Sequence, residues 1–279
     1  MRKIITLLLL SACLTAPAVS AMPEDDDYLA DRGTGMHTSL FGSYVRDQEL
    51  LFYAFWEYNK LSDFEYSPSE LGYPDPNDYF GSGFETEYLI FFGYGFSDSF
   101  AMEFESALRA KAVLNKSPAD PSALPAYIEE SGLGDTEIQF RWRTRKETAD
   151  SFERIWFLKT VFPLQDDNSL LGTSEWELEG GINLTKGYSW GTLMYKAAIG
   201  FNTGENQLEL GEFAIEYVKR TSDRWLWVAS IEGEQDEIQL IGEAQFSFGR
   251  NMVLKLNSGF GLTKKASDFA PEVGVMWSF

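Results

Sequence analysis

The sequence predicts an all-β fold, a twelve-stranded antiparallel transmembrane β-barrel with short periplasmic turns. Three observations predict it. The chain begins with a segment that reads as an export signal. It ends on an alternating apolar strand whose last residue is Phe279. Between them run alternating segments of about ten residues, the length a tilted strand needs to cross a bilayer.

Composition sets the outer bounds. The chain has 279 residues and a mass of 31.6 kDa, a length at which closed barrels form a single domain. A formal net charge of −20 excludes a basic nucleic-acid footprint and a polybasic contact with anionic lipid. After residue 21 no run approaches the ~18 apolar residues of a spanning helix. Helical membrane proteins are thereby excluded. Barrels are not, because alternation hides their hydrophobicity.

At the amino terminus, Arg2 and Lys3 precede the apolar run Ile4 to Leu10, and Val19, Ser20 and Ala21 offer a small-residue cleavage site. Residues 1–21 are therefore expected to be a signal peptide. A competing reading takes Leu10, Ser11, Ala12 and Cys13 as a lipobox whose cysteine is lipidated. Under ordinary cleavage the chain loses Cys13, and with it any disulfide or thiolate chemistry. Residues 22–48, which include the acidic run Glu24 to Asp27, read as a periplasmic segment or a plug, and residues 49–279 as the barrel.

Strands are expected at 49–60, 84–96, 100–109, 135–144, 154–163, 175–185, 191–201, 208–218, 225–233, 238–248, 252–262 and 269–279. An even count puts both ends on the periplasmic side. Stretches 97–99, 145–153, 186–187, 221–223 and 249–251 are turn-like, whereas 61–83, 110–134 and 164–174 are long loops, with a short helix expected near Tyr127 to Glu130. Trp142, Trp156, Trp190, Trp225, Trp227 and Trp277 fall near periplasmic strand ends, and Trp56 and Trp176 near outer ends. Indoles prefer the headgroup layer, so two girdles fit a barrel. In the last strand Phe269, Pro271, Val273, Val275, Trp277 and Phe279 share one face, a pattern that the barrel assembly machinery would read through Phe279.

Period two divides each strand between lipid and lumen. The division sends Glu85, Glu87, Glu103, Glu105, Glu137, Glu177, Glu179, Glu212 and Glu243 inward, with Arg109, Arg141, Arg143, Lys159, Lys196 and Lys255. These are the lumen-lining candidates. They fit a path favouring cations or polar solutes, and equally an interior braced by acid–base networks. The first two strands break the alternation. Leu51, Tyr53, Phe55, Leu89 and Phe91 make an inward apolar strip, suited to an aromatic or aliphatic solute or to a plug formed by residues 22–48.

No catalytic set emerges. His37 is the one histidine and stands before the first strand, and neither Gly-x-Ser-x-Gly nor His-Glu-x-x-His occurs. No cofactor or metal is expected, since the acids at 25–27 and 166–167 are ordinary solvated runs.

The sequence Gly132 to Asp135 leading into a strand, Phe162 and Pro163 closing the next, and Glu175 and Trp176 opening a strand that ends at Gly187 and Tyr188 carry a resemblance. Over roughly residues 50–279 the order of these elements resembles the outer-membrane barrels named for the phenol-degradation meta-cleavage pathway. The resemblance implies a transporter of small aromatic or hydrophobic compounds, with outer-membrane lipid around it. The reading from another class is a closed structural barrel that presents loops 61–83 and 110–134 to partners.

Overall fold

The computed structural model describes residues 46–165, 170–204, 206–248 and 251–279. The expected signal, Cys13, His37 and residues 22–45 of the proposed plug lie outside the described residues.

The chain forms β1 (Leu50–Tyr66), β2 (Tyr79–Ser97), β3 (Phe100–Asn115), β4 (Tyr127–Gly132), β5 (Thr136–Arg145), β6 (Glu153–Val161) and β7 (Glu177–Tyr188). It continues through β8 (Gly191–Asn202), β9 (Gln207–Arg220), β10 (Trp225–Glu234), β11 (Glu237–Ser247), β12 (Met252–Gly261) and β13 (Ala270–Ser278). Each strand pairs antiparallel with its sequence neighbour around the wall, and β1 pairs with β13 to close it. β4 is not a separate stave. It pairs with the upper part of β3, above the part that β5 pairs with, so β4 and β5 share one wall position and the barrel has twelve staves. The helix expected near Tyr127 to Glu130 is this strand instead, because β3 runs on to Asn115 and offers a free edge to pair with. The described residues contain no helix.

β1, β2 and β3 are longer than the sequence suggests, at 17, 19 and 16 residues. They rise past the rest of the rim and carry a small apolar cap of Tyr66, Leu114 and Leu124, with Phe64, Tyr73, Tyr79 and Ile128 against it. Tyr66 ties the cap together. Its hydroxyl donates to Asp120 at 2.9 Å and accepts from the Ser117 amide at 2.9 Å. Burial pushes the Asp120 carboxyl up, but donation from Ser122 and Tyr66 and the nearby Lys116 outweigh it and hold the group below its ordinary range.

The alternation is realised in burial. Ile155 and Phe157 of β6 are buried, while Trp156 and Leu158 between them are exposed on the outer surface. The connections after β2, β5, β7, β9 and β11 share one end of the barrel, here the turn end, with the start of β1 and Phe279. The opposite, loop end carries the long connections after β1, β3 and β6 together with the short ones after β8 and β10. Exterior aromatics band the turn end: Phe100 with Trp142, Tyr188 with Trp190 and Tyr217, Trp225 with Trp227 and Phe246, and Phe52 with Trp277, at ring separations of 4.8–5.7 Å.

The seam is tight. Gly274 of β13 lies opposite Phe55, and a Cβ there would stand 2.6 Å from the Tyr53 ring and 2.7 Å from the Ala54 carbonyl. Gly180, on the exterior, has nothing within 4 Å. Gly274→Val is expected to lower stability by about 1–3 kcal/mol or more through overpacking. Gly180→Ala is expected to change it little. Urea titration in lipid vesicles, read by the gel mobility of folded barrel, separates the two.

The Asp120 contribution has a definite sign. A lowered carboxyl pKa stabilises the cap above the ordinary value of about 3.9 and is lost as pH falls through the lowered one. Pepsin should open the 116–126 loop only as pH falls below that value, and proteinase K at neutral pH should cut it in Asp120→Ala but not in the unaltered chain.

Candidate functional site

The lumen is the site, and it is divided by height. Strand direction alone places the residues. The early positions of upward strands and the late positions of downward strands lie at the turn end. There the inward residues are apolar: Leu51, Tyr53 and Phe55 of β1, Leu89 and Phe91 of β2, Ala101 of β3, Ile155 of β6, Val253 of β12 and Met276 of β13 form one buried cluster. Tyr53 and Phe55 stack at 4.5 Å between ring centroids, and Tyr53 is wholly buried, at 0 % exposure. Met194, Val218, Leu226 and Val228 extend the apolar layer across β8, β9 and β10. The strip anticipated on the first two strands is therefore half of a floor that runs around the barrel.

The cations embedded in and just above this floor are paired, whereas Glu105, opposite Phe91, forms no ion pair with a described residue. Arg141 is 0 % exposed and Glu103 is 4 % exposed, with Nη1 to Oε1 at 2.8 Å. Gln139 donates to the other oxygen of Glu103 at 2.5 Å. The Nε and Nη2 of Arg141 have no hydrogen-bond partner, so Glu103 alone neutralises this guanidinium among the described residues. Lys255 pairs with Glu243 at 3.1 Å and sits 4.9 Å from the Tyr53 ring centre, whose hydroxyl donates to Glu272. Lys159 and Lys196 both bind Glu212, and Lys159 also lies 3.8 Å from Glu137 and 3.9 Å from Glu179. Arg143 sits lower, donating to the Asp98 carbonyl at 2.8 Å and lying 3.5 Å from Glu153.

Above the paired zone the loop end is hollow. One cavity of about 350 Å³ has Glu57, Glu85, Glu212, Glu232, Glu234 and Glu237 on its wall. A second, about 450 Å³, meets Asp135, Glu137, Glu177, Glu179, Glu209 and Glu234. A third, about 210 Å³, lies between Phe91, Glu103, Glu105, Glu137 and Lys159. Glu87 faces inward beside Gly134. Glu179, Glu212 and Glu234 bring oxygens within 4.8 Å of one another, a spacing that fits a metal ion, but Lys159 and Lys196 already neutralise Glu212.

Arg109 departs from expectation. Tyr88 pairs with Arg109 while Leu89 pairs with Ala107, so Leu108 is an extra residue in a bulge. The bulge resets the parity of β3. Ala107, Ala110 and Ala112 are buried, and Arg109 is exposed outside the lumen. Sequence reasoning also missed Glu57, Glu234, Glu237 and Asp135. Glu57 was legible from the odd-numbered parity of β1. Glu234 and Glu237 lie where β10 and β11 run beyond their expected ends, and Asp135 lies just before β5, which begins one residue later than expected.

No family model and no curated protein matches the chain. Solved structures do. An outer membrane channel from Pseudomonas putida F1 superposes with a TM-score of 0.62 at 12 % identity, over 85 % of this chain and 97 % of that one. The KdgM porin superposes at 0.51 and 8 % identity, over 82 % of this chain and 99 % of its own. Its complex with disordered oligogalacturonate gives 0.50, again at 8 % identity, over 83 % of this chain and 99 % of that one. At such identities the likeness is one of fold: this chain has the closed antiparallel barrel that those membrane channels have.

The buried pair yields a test. Glu103→Gln leaves the Arg141 cation without its carboxylate and is expected to cost about 3–5 kcal/mol. Glu103→Leu combined with Arg141→Met removes both charges and should recover most of that loss. Urea unfolding of the two variants in vesicles checks it.

Proposed function

We propose that this chain resides in a bacterial outer membrane and passes a small solute, aromatic or hydrophobic in body, through its lumen. The observation that carries the reading is the run of cavities inside the wall, from about 350 and 450 Å³ at the loop end to about 210 Å³ above the apolar floor. An interior serving only to hold shape would be filled to the rim by its own side chains. Support for the membrane comes from the exterior, where Leu158, Ile199, Leu210, Ile215, Leu240 and Leu256 are exposed between aromatic residues. The partners in this reading are outer-membrane lipid, the assembly machinery at Phe279, and the solute. Nucleic acid has no place in it, and neither does a cofactor or catalysis.

One observation favours the second reading, a closed structural barrel. The floor residues Leu51, Tyr53, Ile155, Val253 and Met276 are all nearly inaccessible. In the transport reading this floor is the barrier that a solute displaces.

Single-channel recording in planar bilayers separates the two. The expected result is small cation-selective steps from the folded full chain, with conductance raised several-fold by Tyr53→Ala combined with Phe55→Ala. Silence from both folded barrels would favour the closed structural reading.

A further inference from the structure

On the outer wall, charge towards the loop end is confined to one sector. Among the described residues of β6 to β13, the outward positions in that half are uncharged, with Leu158, Leu178, Leu210, Ile231, Leu240 and Phe260 all exposed there. β1 and β3 differ. Residues opposite one another in a ladder share a face. Lys60 lies opposite Phe84, Lys111 opposite Thr86, and Arg109 opposite the exposed Tyr88, so all three cations stand on the outer face. The Leu108 bulge is what turns Arg109 outward. The net charge of −20 does not describe this face, because the acids of the two large cavities point into the lumen.

The strands also set the height of these cations. Lys60 is eight residues up β1 from Phe52, which stacks on Trp277 in the turn-end band. Arg109 is eight paired steps up β3 from Phe100 of the same band, with the extra Leu108 set aside. Eight steps are about 26 Å of strand, or about 20 Å of height at a tilt of about 40°. Long side chains reach further, to the far edge of an apolar band about 25 Å tall. A cation on a lipid-facing wall is least costly at that depth.

Their partners differ. Lys111 binds Glu129 at 2.8 Å and lies 6.0 Å from the Phe84 ring centre. The side chains of Lys60 and Arg109 form no ion pair or hydrogen bond with any described residue. Their α-carbons are two strands and four residues apart in register, about 16 Å. Two unanswered cations at headgroup height, spaced in this way, match two anionic groups on one headgroup.

We propose that the outer face of β1–β3 at the loop end binds a lipid whose headgroup carries two phosphates. Lys60 holds one phosphate. Arg109 holds the other through its planar fork of donors. The acyl chains lie over Tyr88, Leu108 and Phe92, which are exposed on this sector. The inference rests on the membrane placement proposed above and not on solute passage.

Native mass spectrometry of the folded full chain, released from detergent micelles, tests it. The probes are diphosphoryl lipid A, monophosphoryl lipid A, which lacks one phosphate, and phosphatidylglycerol. The expected result is one diphosphoryl lipid A per barrel, held at least about fivefold more tightly than either of the others, an electrostatic preference that added salt weakens. The variant K60Q/R109Q, shown folded by gel mobility, should lose the preference. R154Q, which removes an exposed exterior cation at the turn end, should keep it. Equal retention of the two forms of lipid A by the unaltered chain, or an unchanged preference in K60Q/R109Q, overturns the proposal. Insertion into phosphatidylcholine vesicles, read by protease protection, is scored separately. A barrel that inserts without discriminating among the lipids refutes the lipid site alone, and one that does not insert refutes the membrane placement as well.

Discussion

Closure of the wall is the constraint on which everything else depends. A strand facing hydrocarbon has no water to satisfy its amides and carbonyls, so each must pair with a neighbouring strand and no edge can be left. The ladder from Leu51 opposite Ser278 to Glu57 opposite Glu272 meets that demand at the seam. Gly274 lets Tyr53 and Phe55 lie flat behind it. Once the ring is closed, alternation leaves no freedom. Every second side chain is outside, and what remains must share a narrow interior.

That interior resolves two competing demands. Near the turn end it is packed with apolar side chains, and the cations there are neutralised pairwise, as Arg141 is by Glu103 and Lys255 by Glu243. A buried cation without its partner would be costly, which explains why each has one. Towards the loop end carboxylates outnumber ammonium groups and the space opens. A braced lower interior and a hollow, acid-rich upper one thus occupy different heights of the same lumen.

Much of the fold was legible in the residues. The alternation in β6 and β11 and the terminal aromatic strand depend on local chemistry, and the closed barrel bears them out; Trp56, expected near an outer strand end, lies instead within β1, which runs on to Tyr66. Element ends were less legible. β1, β2 and β3 extend because each provides an edge for the next, a mutual effect that no single segment displays. Arg109 shows how one unpaired residue, Leu108, reverses a correct periodicity. The strand at Tyr127–Gly132 looked helical because its polar and apolar residues do not alternate cleanly, and only the free edge of β3 makes it a strand.

The sequence by itself determined the class of architecture, the antiparallel order and the side of the wall on which most charged residues lie, since period two is set by the geometry of an extended backbone. Tertiary structure decided which charges meet. Lys159 on β6 reaches Glu212 on β9 across the intervening strands, and Arg141 chooses Glu103 over Glu105. Such choices follow from the stagger between strands, which is fixed only when the sheet closes on itself. The hollow acidic end arises in the same way, from side chains that are far apart in sequence and share a height only in the closed barrel.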